Sequence, residues 1–259
     1  MMSQIILVTG ASAGFGQNIC QTLVEKGYKV IGAARRYEKL QRIQEELGEQ
    51  FYPLQMDVSQ PEQVDKALAS LPVGWQEIDV LVNNAGLALG LDPAFEASFE
   101  DWQTMINTNI IGLTYVTRKI LPTMVSRNQG HVINIGSTAG TVPYPGGNVY
   151  GATKAYVKQF SQNLRADLAG TRIRVTNIEP GLCGGTEFSN VRFKGDDDRA
   201  TKLYDGAGSI QPEDIANTVL WALEQPAHVN ISRIEIVPVS QTFGPQPIDR
   251  TLWNDDSLL

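Results

Sequence analysis

The chain has 259 residues, 42% of them hydrophobic, and a formal net charge of −7. That acidic balance, without a basic stripe, argues against nucleic-acid binding, and two cysteines with two histidines leave no disulfide framework and no metal site. No apolar run is long enough to span a membrane, and the opening M-M-S-Q-I-I-L-V-T-G lacks a basic start, so a soluble, cytoplasmic protein is expected.

A first strand is predicted over Ile5–Thr9, where I-I-L-V is apolar on both faces, as in parallel strands covered by helices on either side. It runs into T-G-A-S-A-G-F-G, which sets Gly10, Gly14 and Gly16 in a G-x-x-x-G-x-G spacing ahead of a helical pattern. Glycine is needed where the chain turns sharply and where backbone must approach a pyrophosphate at a helix N-terminus. Ser12 and Phe15 of the same turn are further candidate cofactor contacts. The second strand, Lys29–Ala33, ends in G-A-A-R-R. A carboxylate at this point would hold a ribose 2′-hydroxyl; Arg35 and Arg36 instead offer two guanidinium groups to a 2′-phosphate, so NADP is the predicted cofactor.

A helix over Tyr37–Leu47 places Leu40, Ile43 and Leu47 on one face. Strands Phe51–Gln55 and Ile78–Asn83 follow, and candidate adenosine contacts lie at their ends, where open α/β sheets bind ligands. These are Asp57 and Val58 after the third strand, and Asn83, Ala85 and Gly86 of N-N-A-G after the fourth.

A long amphipathic helix is predicted from Trp102 to Val125 and contains Tyr115 and Lys119, four apart; Y-G-A-T-K repeats that spacing in Tyr150 and Lys154. Residues four apart stack on one helix face, so either pair can bring a phenol and an ammonium together. Position separates them. Strand His131–Gly136 delivers Ser137 to the cofactor edge, and V-P-Y-P-G-G-N returns the chain to the helix that holds Tyr150. Tyr115 has no such hydroxyl neighbour and is assigned to packing. Hydride transfer to or from a carbonyl needs a proton donor or base at the oxygen, and a free tyrosine, with pKa ~10, is a poor base near neutrality. An ammonium and a positive nicotinamide ring favour the phenolate, and a serine hydroxyl can donate to the same oxygen. Ser137, Tyr150 and Lys154 are therefore the predicted reacting centre, with Ser137 and Tyr150 against the substrate.

Strands Ile173–Glu179 and Ile234–Val239 complete the pattern, with a helix opened by Pro212 between them. Leu182–Ile210 shows glycines and charges without a clear strand, as expected of a substrate lid, and a tail follows Val239 with Pro245 and Pro247. Alternating strands and helices imply a Rossmann-type, doubly wound α/β fold: a mainly parallel seven-stranded sheet with helices on both faces, in one dinucleotide-binding domain over residues 1–259.

T-G-A-S-A-G-F-G, N-N-A-G, Asn109 in N-I-I-G, Ser137, Y-G-A-T-K and Pro180-Gly181 occur in an order that resembles the short-chain dehydrogenase/reductase family over nearly the whole chain. The resemblance implies a tetrad of Asn109, Ser137, Tyr150 and Lys154, with Asn109 anchoring a water that leads from Lys154 to solvent. It further implies that Lys154 holds the nicotinamide ribose, that Pro180 and Gly181 border the cofactor, and that the protein is a homotetramer. Within the family, P-Y-P-G-G-N-V-Y-G-A-T-K and I-E-P-G-L-C-G-G-T-E-F-S-N-V-R-F-K-G-D-D look like the NADP-dependent 3-hydroxy acid dehydrogenases, which act on serine, allo-threonine and 3-hydroxypropionate or reduce malonic semialdehyde. Where that family commonly has P-G-x-V-x-T, Cys183 replaces the aliphatic residue and an extra glycine precedes Thr186, the candidate for the nicotinamide carboxamide. A hydroxy-acid carboxylate needs a cation, and the suspected lid offers Arg192 and Lys194, of which arginine suits a carboxylate better. The alternatives are a carbonyl reductase of small ketones or sugars on the same scaffold, and a catalytically silent NADP-binding regulator.

Overall fold

The computed structural model describes residues 4–242. Its strands are β1 (Ile5–Thr9), β2 (Lys29–Ala34), β3 (Phe51–Gln55), β4 (Val80–Asn83), β5 (Gly130–Ile135), β6 (Ile173–Pro180) and β7 (Arg233–Ile236). They form one sheet in the order β3-β2-β1-β4-β5-β6-β7, and every neighbouring pair is parallel. The helices α1 (Gly14–Glu25), α2 (Tyr37–Leu47) and α9 (Pro212–Leu223) lie on one face; α3 (Pro61–Ala69), α5 (Leu113–Arg127) and α6 (Asn148–Asp167) lie on the other. Strand alternation divides the core between them. Ile6 and Val8 of β1 join Ile19, Leu23 and Val219 on the first face, while Ile5 and Leu7 join Val64, Val116 and Leu164 on the second.

Four regions differ from the sequence expectation. β4 begins at Val80 because Asp79 ahead of it serves as an anchor, accepting from Ile5 N at 3.0 Å and Arg127 Nη1 at 2.7 Å. The predicted long helix is two helices, α4 (Phe99–Ile106) and α5, joined by a π-helical turn over Asn107–Gly112. The Leu182–Ile210 segment contains two short helices, α7 (Phe188–Arg192) and α8 (Asp197–Lys202), and a single bridge between Cys183 and Ile210. Asp196 caps α8 by accepting from Arg199 N at 3.0 Å. β7 stops at Ile236, ahead of Pro238, which cannot donate to a ladder. The predicted tail beyond Thr242, with Pro245 and Pro247, lies outside the described residues.

A row of asparagines crosses the sheet centre, Asn83 beside Asn134 and Asn134 beside Asn177. Asn83 Nδ2 donates to Thr117 Oγ1 and to Asn134 Oδ1, both at 2.8 Å, and Asn134 Nδ2 donates to Ser161 Oγ at 2.8 Å. This corrects the expectation for Asn83: still inside its strand, it points its side chain at α5 and away from the cofactor edge. His131 beside this row bonds Thr176 at 2.8 Å, and burial pushes its pKa down to about 3, so it remains a neutral structural group.

Asn134→Ala takes an acceptor from Asn83 and the amide donor from Ser161, both deep under α5 and α6. It is expected to lower the unfolding free energy by about 2–4 kcal/mol in urea titrations, leaving nucleotide affinity unchanged, because Asn134 borders no cavity of the crevice.

Candidate active site

The site is built where β1 and β4 end. Gly10 has φ +69°, open to glycine but strained for other residues, and a Cβ on Gly16 would lie 2.3 Å from the Gly10 carbonyl oxygen. Gly16 is thus a packing glycine under the turn and does not itself line the cleft. Asn84 secures the turn from the neighbouring strand, donating from Nδ2 to Thr9 O at 2.9 Å and Gly10 O at 3.3 Å. Sequence reasoning had Asn83 in this neighbourhood; the first residue past the strand, Asn84, is the one that turns inward.

Above this turn lies a cleft of about 300 Å³ bordered by Gly10, Ser12, Gly14 and Phe15 on one side. Arg35 and Arg36 stand at the end of β2, Asp57 and Val58 after β3, and Ala85 and Gly86 after β4. The adenosine-side predictions therefore converge. Asp57 Oδ1 accepts from Ser59 N at 2.9 Å and Ser59 Oγ at 2.7 Å, which fixes its carboxylate in the turn. Arg36 donates from Nε to Ser12 Oγ at 3.2 Å, tying the cation to the glycine turn.

A second cavity, of about 380 Å³, continues the cleft over the ends of β5 and β6. Ser137, Tyr150 and Lys154 border it, together with Pro180, Gly181 and Thr186. Ser137 opens a short turn through which Ala139 N donates to its Oγ at 3.1 Å, and its hydroxyl faces Pro180 O at 3.4 Å. Lys154, four residues after Tyr150 on α6, places Nζ 5.9 Å from the Tyr150 ring centre and donates to Ile135 O at 2.9 Å. A Cβ on Gly86 would lie 3.3 Å from Asn109 Oδ1 and 3.5 Å from Lys154 Nζ, so that glycine keeps space for both groups. The Asn109 side chain is held by protein: Oδ1 accepts from Leu87 N at 3.0 Å, and Nδ2 donates to Leu87 O at 2.9 Å and Thr153 Oγ1 at 3.0 Å. It positions the β4 loop against α6. Tyr115, by contrast, donates to Asp65 at 2.9 Å, and Lys119 pairs with the same carboxylate at 2.8 Å, a surface network far from the cleft.

The segment after β6 borders the outer side. Thr186 lies over the glycine turn, its Cγ2 3.1 Å from where a Cβ on Gly14 would be, and Phe188 packs edge-on against Tyr150 at 5.8 Å. Arg192 is nine-tenths buried, 5.6 Å from the Tyr150 ring centre, and donates to Tyr144 Oη at 2.8 Å and Gly90 O at 3.2 Å. Lys194 pairs with Asp101 at 2.8 Å on the exterior. Of these two cations, Arg192 borders the cavity and Lys194 does not. Tyr144 and Phe188 were not singled out from sequence, although the lone aromatic between two prolines in V-P-Y-P was a usable signal.

Residues 4–197 match the family model described as short chain dehydrogenase. The chain belongs to the short-chain dehydrogenase family. A probable NADP-dependent dehydrogenase of Haemophilus influenzae is 59% identical over 96% of this chain and 99% of its own length. The NADP-dependent 3-hydroxy acid dehydrogenase YdfG of Salmonella typhi is 59% identical over 95% of this chain and 100% of its own. A solved serine dehydrogenase, in its closed form complexed with NADP+, superposes with a TM-score of 0.95 at 57% identity, covering 95% of this chain and all of that one.

In this short-chain dehydrogenase the tyrosine and lysine are both perturbed by burial. Burial pushes the Tyr150 phenol above its ordinary range, and the Ser137 hydrogen bond and Arg192 charge pull only partly against it. Within the protein alone, burial outweighs the groups that favour the phenolate. Burial pulls the Lys154 pKa from 10.5 down to about 8. At ~1.4 kcal/mol per unit, holding that ammonium in the fold costs about 3 kcal/mol at neutral pH. The sign follows: the folded value is depressed, so the penalty is full below about pH 8 and fades as pH rises toward 10.5. Lys154→Met is expected to raise the thermal midpoint at neutral pH, with the gain shrinking above about pH 8 and gone near pH 10.5, as read by scanning calorimetry.

Proposed function

We propose that this protein is an NADP-dependent oxidoreductase that moves a hydride between its cofactor and short 3-hydroxy acids such as L-serine, L-allo-threonine and 3-hydroxypropionate or its oxidised form, malonic semialdehyde. The observation that carries the substrate class is Arg192: a guanidinium buried beside Tyr150 whose hydrogen bonds go to neutral oxygens, leaving Nη1 for an incoming carboxylate. Arg35 and Arg36 support the choice of NADP, as do the names of the similar dehydrogenases.

When bound, the nicotinamide ring accepts or gives the hydride and, oxidised, adds a positive charge near the phenol. The chain supplies the rest. Arg192 and Tyr144 hold the carboxylate and so set the hydroxyl-bearing carbon over the cofactor edge. Tyr150 takes the hydroxyl proton during oxidation and returns it during reduction, and Ser137 donates to the same oxygen. Lys154, charged below about pH 8, holds the ribose and favours the phenolate. Asn109 acts one step removed, by fixing Leu87 and Thr153 around the Lys154 end of α6.

Arg192→Ala is expected to raise KM for L-allo-threonine at least about 30-fold, the loss of a buried charged contact worth ~2 kcal/mol or more, while turnover of a neutral secondary alcohol stays unchanged. An unaltered KM would remove the carboxylate assignment. Val142, Leu182 and Phe188 also border the cavity and favour the second reading, a carbonyl reductase of small ketones, which predicts good turnover without any carboxylate. Tyr150→Phe is expected to lower kcat by about 10²–10⁴ on any substrate while nucleotide affinity persists, an outcome that a silent NADP sensor would not give. Assembly as a homotetramer belongs to the same proposal: Ile106, Ile111 and Val125 leave apolar surface exposed along α4 and α5.

A further inference from the structure

The lid reaches the cofactor cleft with a charge of its own. Glu187, the residue before α7, places Oε2 2.8 Å from Arg36 Nη1 and Oε1 2.8 Å from Lys39 Nζ. One planar carboxylate thus bridges both cations at the start of α2, where the helix N-terminus adds to the attraction for an anion. Arg36 is held toward the glycine turn by its bond to Ser12. Glu187 stands in the wall between the cleft and an outer cavity of about 740 Å³ that is bordered by Lys39, Arg42, Asn190 and Tyr204.

We propose that Glu187 is an internal anion that competes with the cofactor's 2′-phosphate for Arg36 and Lys39, so that a lid residue sets how tightly a phosphorylated ribose binds. The inference rests on the NADP reading above. All three side chains are close to half exposed, which makes their pairing weak enough to exchange. A 2′-phosphate brings more charge and a further acceptor oxygen to the same two cations and displaces the carboxylate. A ribose 2′-hydroxyl is neutral and leaves the pairing in place. The outer cavity gives the displaced side chain somewhere to go without disturbing the sheet. The carboxyl of Glu187 already lies below its ordinary range, first through its bond to Lys39 and then through Arg36.

The test is calorimetric titration of the whole protein with 2′,5′-ADP and with 5′-ADP, for wild type, Glu187→Gln, the Arg36→Ala/Lys39→Ala variant, and that variant combined with Glu187→Gln. Glu187→Gln is expected to tighten 2′,5′-ADP about 3- to 10-fold, to leave 5′-ADP within about 2-fold, and to have no effect once both cations are removed. An unchanged affinity for 2′,5′-ADP in Glu187→Gln overturns the competition. A weakened affinity overturns it too, by showing that Glu187 orients Arg36 for the phosphate. Failure of the NADP reading has a different signature: wild type would then bind 2′,5′-ADP no better than 5′-ADP, whatever occupies position 187.

Discussion

The crevice depends on a small set of hydrogen bonds between the ends of β1 and β4. Thr9 Oγ1 accepts from Asn84 N at 3.1 Å and Ala85 N at 3.0 Å, while the Asn84 side chain returns to Thr9 O and Gly10 O. These two strands are neighbours whose following connections leave in opposite directions, one toward β2 and one toward β5. At such a switch point the loops diverge and open a gap at the carboxyl edge of the sheet. Without the stitch, the glycine turn and the Ala85–Gly86 loop have no common reference. The cofactor-side residues and the Tyr150 helix would then be set independently.

Electrostatics differ between the floor of that crevice and its rim. Toward the floor Lys154, and on the opposite wall Arg192, are both nine-tenths buried, and their hydrogen bonds go to Ile135 O, Gly90 O and the Tyr144 hydroxyl. Among the described residues no carboxylate pairs with either. Buried cations without counter-charges are costly, and they are retained where an anion or a developing negative charge is to be received. On the rim cations have carboxylate partners: Arg36 and Lys39 share Glu187, and Lys194 pairs with Asp101.

The sheet, its parallel sense and the turn at Gly10 were legible because strand burial on both faces writes apolar runs, and phosphate-approaching backbone writes glycines. The Tyr150–Lys154 pair could be separated from Tyr115–Lys119 for a topological reason: the chain must pass through β5 and Ser137 to reach it. What sequence did not disclose were matters of a single residue's direction. Asn83 and Asn84 are chemically identical, and only the end point of β4 decides which faces the cleft. Tyr144 and Phe188 reach Tyr150 from segments whose course depends on tertiary contacts, and Glu187 finds Arg36 across 151 residues of chain. The π-turn was hidden because its weak helix formers, N-T-N-I-I-G, sit inside an otherwise helical periodicity; the extra residue shows only in hydrogen bonding.

That turn has a consequence for how the gene can vary. A π-turn takes up one more residue than an α-turn, and each added or lost residue rotates the rest of a helix by about 100°. Val116, Ile120 and Met124 of α5 face the core only in the phase that Asn107–Gly112 imposes, and Asn109 meets Leu87 and Thr153 only from within it. A substitution at exposed Asn107 or Ile111 alters one side chain, whereas a deletion would swing three core side chains toward solvent at once. The length of this segment thus sets the rotational phase of everything that follows it in α5.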